Sequence, residues 1–230
     1  MLILWDIDGT MLVTQRSGMA AMRSAGQDLF SPNFKVEGVD YAGRLDPLII
    51  EELFRLNDVP FTPENLHAIK LGYQEHLARL VAQPGRASSL PGVPALLHSL
   101  AQNTSLTQGL LTGNWETSGL LKLRAAGIDH SHFKIRVWGD ESPHSPPKRE
   151  HLPRVAMDRL NSLRGNAIDP SKVTIIGDTP NDVHCAKVHG CRSLGVATGI
   201  FSVADLSSAG ATHAVKDLSD VASIYRWLVD

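Results

Sequence analysis

Leu2-Ile3-Leu4-Trp5-Asp6-Ile7-Asp8-Gly9-Thr10 is a short apolar run that stops at two aspartates and a glycine. The run reads as a buried strand, and Gly9 lets the chain turn away where the strand ends. Alternate residues of a strand share a face, so Asp6 and Asp8 point the same way and leave two carboxylates at one pocket. Two later stretches repeat the plan. Leu106 to Leu111 leads into Thr112-Gly113-Asn114, and Val173 to Ile176 leads into Gly177-Asp178-Thr179-Pro180-Asn181-Asp182. Open α/β sheets place their ligands at polar turns beyond the C-terminal ends of buried parallel strands, so three distant segments converge on one site.

Outward from these turns the chain alternates. From Leu90 onward, strands at Leu106 to Leu111, Ile135 to Trp138, Val173 to Ile176, Ser193 to Val196 and His213 to Val215 interleave with helical stretches. The longest of these stretches spans Arg149 to Arg164, and the last spans Leu218 to Leu228. That order predicts an α/β fold, a Rossmann-like doubly wound parallel sheet covered on both faces. Between Val13 and Arg86 the alternation stops and three helices follow one another: Ser17 to Leu29, Asp46 to Leu56 and Pro63 to Ala82. Asp46 reads as the N-cap of the second, before Pro47; Thr62 reads as that of the third, before Pro63. The expected division is a core of residues 1–13 and 87–230 carrying a small α-helical cap of residues 14–86, with Gln83-Pro84-Gly85-Arg86 as the return hinge.

Bulk composition narrows the function. At 230 residues, with 43% hydrophobic and 20% charged residues and a formal net charge of −2, the chain can bury a sizeable core. It carries no general attraction for nucleic acid or an anionic membrane. The stretch before Asp6 lacks the length and basic flank of a secretory signal, and no run approaches the roughly 20 apolar residues that span a bilayer. A cytoplasmic location is expected, with Cys185 and Cys191 as free thiols.

The chemistry follows from the turns. Asp6, Asp8, Asp178 and Asp182 would repel one another and resist ionising unless a cation sat among them. An all-oxygen set suits a hard ion, Mg²⁺ best, because it takes few protein ligands and leaves room for phosphate oxygens. The Thr112 hydroxyl and backbone N–H groups at Gly113 and Asn114, before the helix near Trp115, supply the other half of an anion site. A cation from Pro146-Pro147-Lys148-Arg149 completes the neutralisation. One aspartate to attack phosphorus and another to protonate the leaving oxygen make up the parts of a phosphoryl transfer.

In these motifs and their order, over nearly its whole length, the chain resembles the haloacid dehalogenase superfamily, in the phosphatase group whose helical cap follows the first motif. The resemblance implies that Asp6 is a nucleophile forming an aspartyl phosphate. Asp8 is implied to be the general acid and then the base, and Thr112 to bind the phosphoryl group. Mg²⁺ is implied to lie on Asp6, the Asp8 carbonyl and Asp178, with Asp182 in support. The family commonly has a lysine followed by proline as its catalytic cation. Here Lys148 is followed by Arg149, so the family pattern points to Lys148 while the spacing admits Arg149. The implied function is hydrolysis of a small phosphorylated metabolite, most similar to phosphoglycolate phosphatases. A sugar-phosphate mutase and a non-catalytic scaffold of the same fold are the alternatives. Asp8 disfavours a dehalogenase, whose leaving group has no oxygen to protonate. Arg44 and Arg16 are candidates for reading the substrate from the cap, against an equal case for exposed helix-end arginines. Trp115 is either core packing or a pocket wall.

Overall fold

The computed structural model describes residues 1–230. In chain order the elements are β1 (Leu2–Trp5), β2 (Leu12–Val13), α1 (Ser17–Leu29), α2 (Asp46–Leu56), α3 (Pro63–Val81), β3 (Ser88–Ser89), α4 (Val93–Ala101), β4 (Thr107–Leu111) and α5 (Glu116–Ala125). They continue as β5 (Ile135–Val137), α6 (Leu152–Arg164), β6 (Val173–Gly177), α7 (Pro180–Val188), β7 (Arg192–Val196), α8 (Val203–Ser208), β8 (His213–Val215) and α9 (Val221–Val229). No helix is long and apolar enough to cross a membrane.

Six strands form one parallel sheet in the order β5-β4-β1-β6-β7-β8. β1 lies in its interior, with Leu2 opposite Thr107 on one side and Val173 on the other. Because side chains alternate across a strand, β1 feeds both cores. Ile3 and Trp5 join the cluster with Val93, Leu96, Leu123 and Leu228, while Leu2 and Leu4 join Ala156, Leu160 and Cys185 on the opposite face. The doubly wound sheet expected from the alternation is the observed one, and its strand ends lie side by side at one edge.

Helices α1, α2 and α3 share a third cluster that includes Met22, Ile50, Phe54 and Tyr73. The buried indole of Trp115 joins it from just outside β4, tilted against Tyr73 with ring centroids 6.0 Å apart. Trp115 is therefore packing, and it packs against the helical insert as much as against the sheet. The insert is joined to the sheet through a small antiparallel ribbon in which Leu12 faces Ser89 and Val13 faces Ser88. Two residues per strand are too few to show a period in the sequence, so this ribbon was not anticipated.

Two helix starts differ from expectation. Leu45, with extended backbone, is the N-cap of α2, so Asp46 becomes its first helical residue and its carboxylate reaches away from its own helix. The stretch Arg149–His151 is a 3₁₀ turn, and α6 begins at Leu152. Pro153 fits that start, since the first turn is where a helix tolerates a missing N–H. Thr62 caps α3 as expected, and Thr179 caps α7 in a reciprocal capping box with Asp182.

Phe54 is fully buried and meets Phe30 edge-on at 5.3 Å between centroids. Replacing Phe54 by Ala should cost about 3–5 kcal/mol, the usual cost of emptying a large aromatic site. A urea titration followed by tryptophan fluorescence measures it, and a midpoint unchanged from wild type would refute the packing described.

Candidate active site

The site lies at the C-terminal ends of β1, β4 and β6, around a cavity of about 570 Å³ lined by Asp6, Asp8, Thr112, Asn114, Arg149 and Asp178 and by cap residues including Met19, Tyr41 and Tyr73. Asp6 leaves β1 with its N–H bonded to the Ile176 carbonyl at 2.9 Å, which ties the first turn to the third. Ile7 points into the core between the two aspartates, so Asp6 and Asp8 share the cavity face. Gly9 turns at φ 73°, and a Cβ there would sit 2.3 Å from the Asp178 carboxylate. Only glycine provides both the turn and the clearance.

Asp6, Asp178 and Asp182 are all buried and offer carboxylate oxygens within 4.8 Å of one another. Burial pushes Asp178 up to about 8, and repulsion from Asp6 and Asp182 adds to it. Burial also raises Asp6, against the opposing pull of Arg149. Carboxylates held this close to neutrality, with no His or Cys among them, fit a hard divalent cation. The fit is uneven. The two oxygens of Asp182 are already engaged, Oδ1 by Arg149 and Oδ2 by the Thr179 N–H at 3.1 Å and hydroxyl at 2.7 Å. Asp182 thus stands in the cluster beside Asp6 and Asp178, fixed there by Arg149 and Thr179.

Of the two adjacent cations that the sequence leaves open, Lys148 is turned away from the carboxylates. Its side chain is 56% exposed and pairs with Glu150 at 3.2 Å. Arg149 is 7% exposed and its Nη2 lies 3.0 Å from Asp6 Oδ1 while also bonding Asp182. The 3₁₀ turn sets this choice, because it presents one of two adjacent cations inward and the other to solvent.

On the other side, the Thr112 hydroxyl accepts from the Asn114 side-chain amide at 2.8 Å, and that amide also donates to Asp8 Oδ2 at 2.8 Å. Gly113 is the seat of the cap. A Cβ on Gly113 would fall 1.9 Å from the Arg44 carbonyl oxygen, and the Gly113 carbonyl accepts the Asp46 N–H at 2.7 Å. The Asp46 carboxylate takes the Trp115 N–H at 3.0 Å. The Trp115 amide at the start of α5 is thereby engaged by the helical insert. Burial lifts Asp46 to about 6, against the pull of nearby Lys122. Arg44 lines the cavity, but its guanidinium is tied to Glu52 and to the Asp40 carbonyl at 3.1 Å. Arg16, in the left-handed region at φ 61°, lines the cavity with no acidic partner.

One residue of the site was not read from the sequence. Lys122, on α5, is buried, with its ammonium 2.7 Å from Asp8 Oδ2 and 2.6 Å from Asn114 Oδ1. Burial works against its charge, and Asp8, Tyr73 and Asp46 more than offset that, so its pKa stands above the ordinary lysine value.

Comparison with known proteins agrees with this geometry. The family model for haloacid dehalogenase-like hydrolases matches residues 3–196. Over 231 aligned residues the chain is 25% identical to a phosphoglycolate phosphatase of Chromobacterium violaceum, covering 97% of this chain and 96% of that one. A hydrolase from Pseudomonas syringae shares the fold with a TM-score of 0.71 at 20% identity, covering 99% of this chain and 98% of that one. CbbY from Rhodobacter sphaeroides, solved in complex with phosphate, does so with a TM-score of 0.72 at 18% identity, covering 96% and 95%. The family match spans all three strand-end turns together with Arg149, and the chain belongs to the haloacid dehalogenase-like hydrolase family.

Proposed function

We propose that this protein is a Mg²⁺-dependent phosphatase that hydrolyses a small phosphate monoester through an aspartyl phosphate on Asp6. The observation that carries this reading is the meeting of Asp6, Asp8, Arg149, Asp178 and the Thr112 to Asn114 turn on one cavity. The carboxylates of Asp6 and Asp178 with the Asp8 carbonyl would hold Mg²⁺, which when bound offsets the charge of the carboxylates and of the phosphoryl group.

An Asp6 carboxylate oxygen attacks phosphorus, forming an acyl phosphate as the ester P–O bond breaks. Asp8 gives its proton to the departing oxygen. Water then attacks phosphorus, Asp8 takes back a proton, and phosphate leaves with Asp6 regenerated. Arg149 holds Asp6 in place and screens its charge from the incoming phosphate, while the Thr112 hydroxyl binds a phosphoryl oxygen. Hydrolysis is favoured over transfer to a sugar hydroxyl because the Asp8 side chain is 43% exposed, which gives water access to it. Residues 14–86 act in this reading as a cap that selects the substrate. The relative from Chromobacterium violaceum makes phosphoglycolate the first ester to test. A cytoplasmic enzyme acting on a metabolite, with neither nucleic acid nor membrane as partner, is consistent with the near-neutral composition.

Purified protein given a panel of small phosphate esters should release phosphate only with Mg²⁺, and Asp6→Asn should lose about a thousandfold or more while remaining folded. An active Asp6→Asn protein would sink the mechanism. Arg149→Ala should cost at least about a hundredfold in kcat/KM, whereas Lys148→Ala stays near wild type; the reverse ranking in steady-state kinetics would return the role to Lys148. For pH, Asp178 binds its proton more tightly folded (about 8) than at the ordinary value of 3.8. The folded state therefore holds the excess protons between these values, and stability of the metal-free protein falls as pH rises through that window. Thermal melts should show Mg²⁺ raising Tm more at pH 8 than at pH 5, and Asp178→Asn should flatten the difference.

A further inference from the structure

The mechanism above leaves Lys122 without a task, yet the fold buries this lysine to 5% exposure. A buried ammonium is costly unless fully paired, and this one is paired with the acid–base residue itself. Its Nζ lies 2.7 Å from Asp8 Oδ2 and 2.6 Å from Asn114 Oδ1. An ammonium has only donors, so it fixes the Asn114 side chain with its oxygen toward Lys122 and its NH₂ toward Thr112 and Asp8. That NH₂ donates to the same Asp8 Oδ2 at 2.8 Å. Asp8 Oδ2 thus receives two donors, and Asp8 Oδ1 receives none from the protein.

We propose that Lys122 is a positioning residue for the acid–base step: together with Asn114 it saturates Asp8 Oδ2, so that Oδ1 alone exchanges the proton. Oδ1–H gives its proton to the ester oxygen as the P–O bond breaks. Oδ1 then takes a proton from water as the water oxygen bonds to phosphorus and the Asp6–phosphorus bond breaks. Without the ammonium, Oδ2 keeps only the Asn114 donor and has a lone pair left to take the proton itself. The helical insert comes close to the ammonium: the point a Cβ on Gly18 would occupy lies 3.8 Å from Lys122 Nζ and 3.7 Å from the Tyr73 hydroxyl. The proposal rests on the reading of Asp8 as the general acid, and its test separates the two.

The test is the ratio of kcat/KM for 2,4-dinitrophenyl phosphate, whose leaving group needs no proton, to that for an alkyl phosphate, whose leaving group does. It is measured with Mg²⁺ for wild type, Asp8→Asn, Lys122→Met and Lys122→Gln. The ratio should rise about a hundredfold in Asp8→Asn and in Lys122→Met, in line with the usual worth of general acid catalysis. Lys122→Gln, which can still donate to Oδ2, should fall between Lys122→Met and wild type, and decides the question alone if Lys122→Met does not fold. A merely structural lysine would lower kcat/KM for both esters equally. An unchanged ratio in the Lys122 variants beside a raised one in Asp8→Asn overturns the proposal. An unchanged ratio in Asp8→Asn overturns the acid role of Asp8 first.

Discussion

The buried meeting of Asp6, Asp178 and Asp182 around Arg149 is the constraint on which the rest of the site depends. Like charges this close, out of water, disfavour one another's ionisation, and the fold must supply a compensating charge or lose the carboxylates to protonation. One guanidinium does part of this by spanning Asp6 and Asp182. It can do so because the 3₁₀ turn before α6 directs it inward. Arg149 Nε has no partner, so the buried guanidinium is not fully satisfied by protein alone. The compensation by protein alone is thus incomplete, and a divalent cation would supply the missing positive charge.

The second half of the site is organised by hydrogen bonds rather than by charge alone. Thr112, Asn114, Asp8 and Lys122 form a continuous chain of donors and acceptors. Directly beside it, Gly113 and Trp115 carry the contact with Arg44 and Asp46 of the cap. The turn that lines the cavity is therefore the same turn on which the helical insert rests. Cap seating and site geometry are two aspects of one short segment, residues 112–115.

Much of this was legible in the sequence because it rests on local signals. Apolar runs ending in polar glycine turns marked three of the six strands, the alternation with helices marked the other three, and the run of three helices without a strand marked the insert. Thr179, Pro180 and Asp182 carried their capping pattern openly. What was hidden depends on direction or on distant partners. Lys148 and Arg149 are adjacent, and only the turn decides which faces inward. Asp46 looks like a helix cap by its place before Pro47, but its partner is Trp115, 69 positions away. Lys122 sits in an ordinary helical stretch, and only the approach of Asp8, 114 positions away, distinguishes it from a surface lysine.

The register of β1 has a consequence for how the chain assembles. Its two neighbours begin at Thr107 and Val173, so the strand that carries Asp6 cannot complete its pairing until most of the chain is available. The helices of the insert, in contrast, find most of their partners within residues 17–81, with Trp115 the buried one from beyond. Closing long loops delays non-local pairing, whereas helices packing on near neighbours form early. The helical insert thus depends less than the sheet on segments far along the chain. Newly made chain would carry an organised helical lobe while the segment from Leu2 to Thr10 still waits, unpaired, for strands not yet in place.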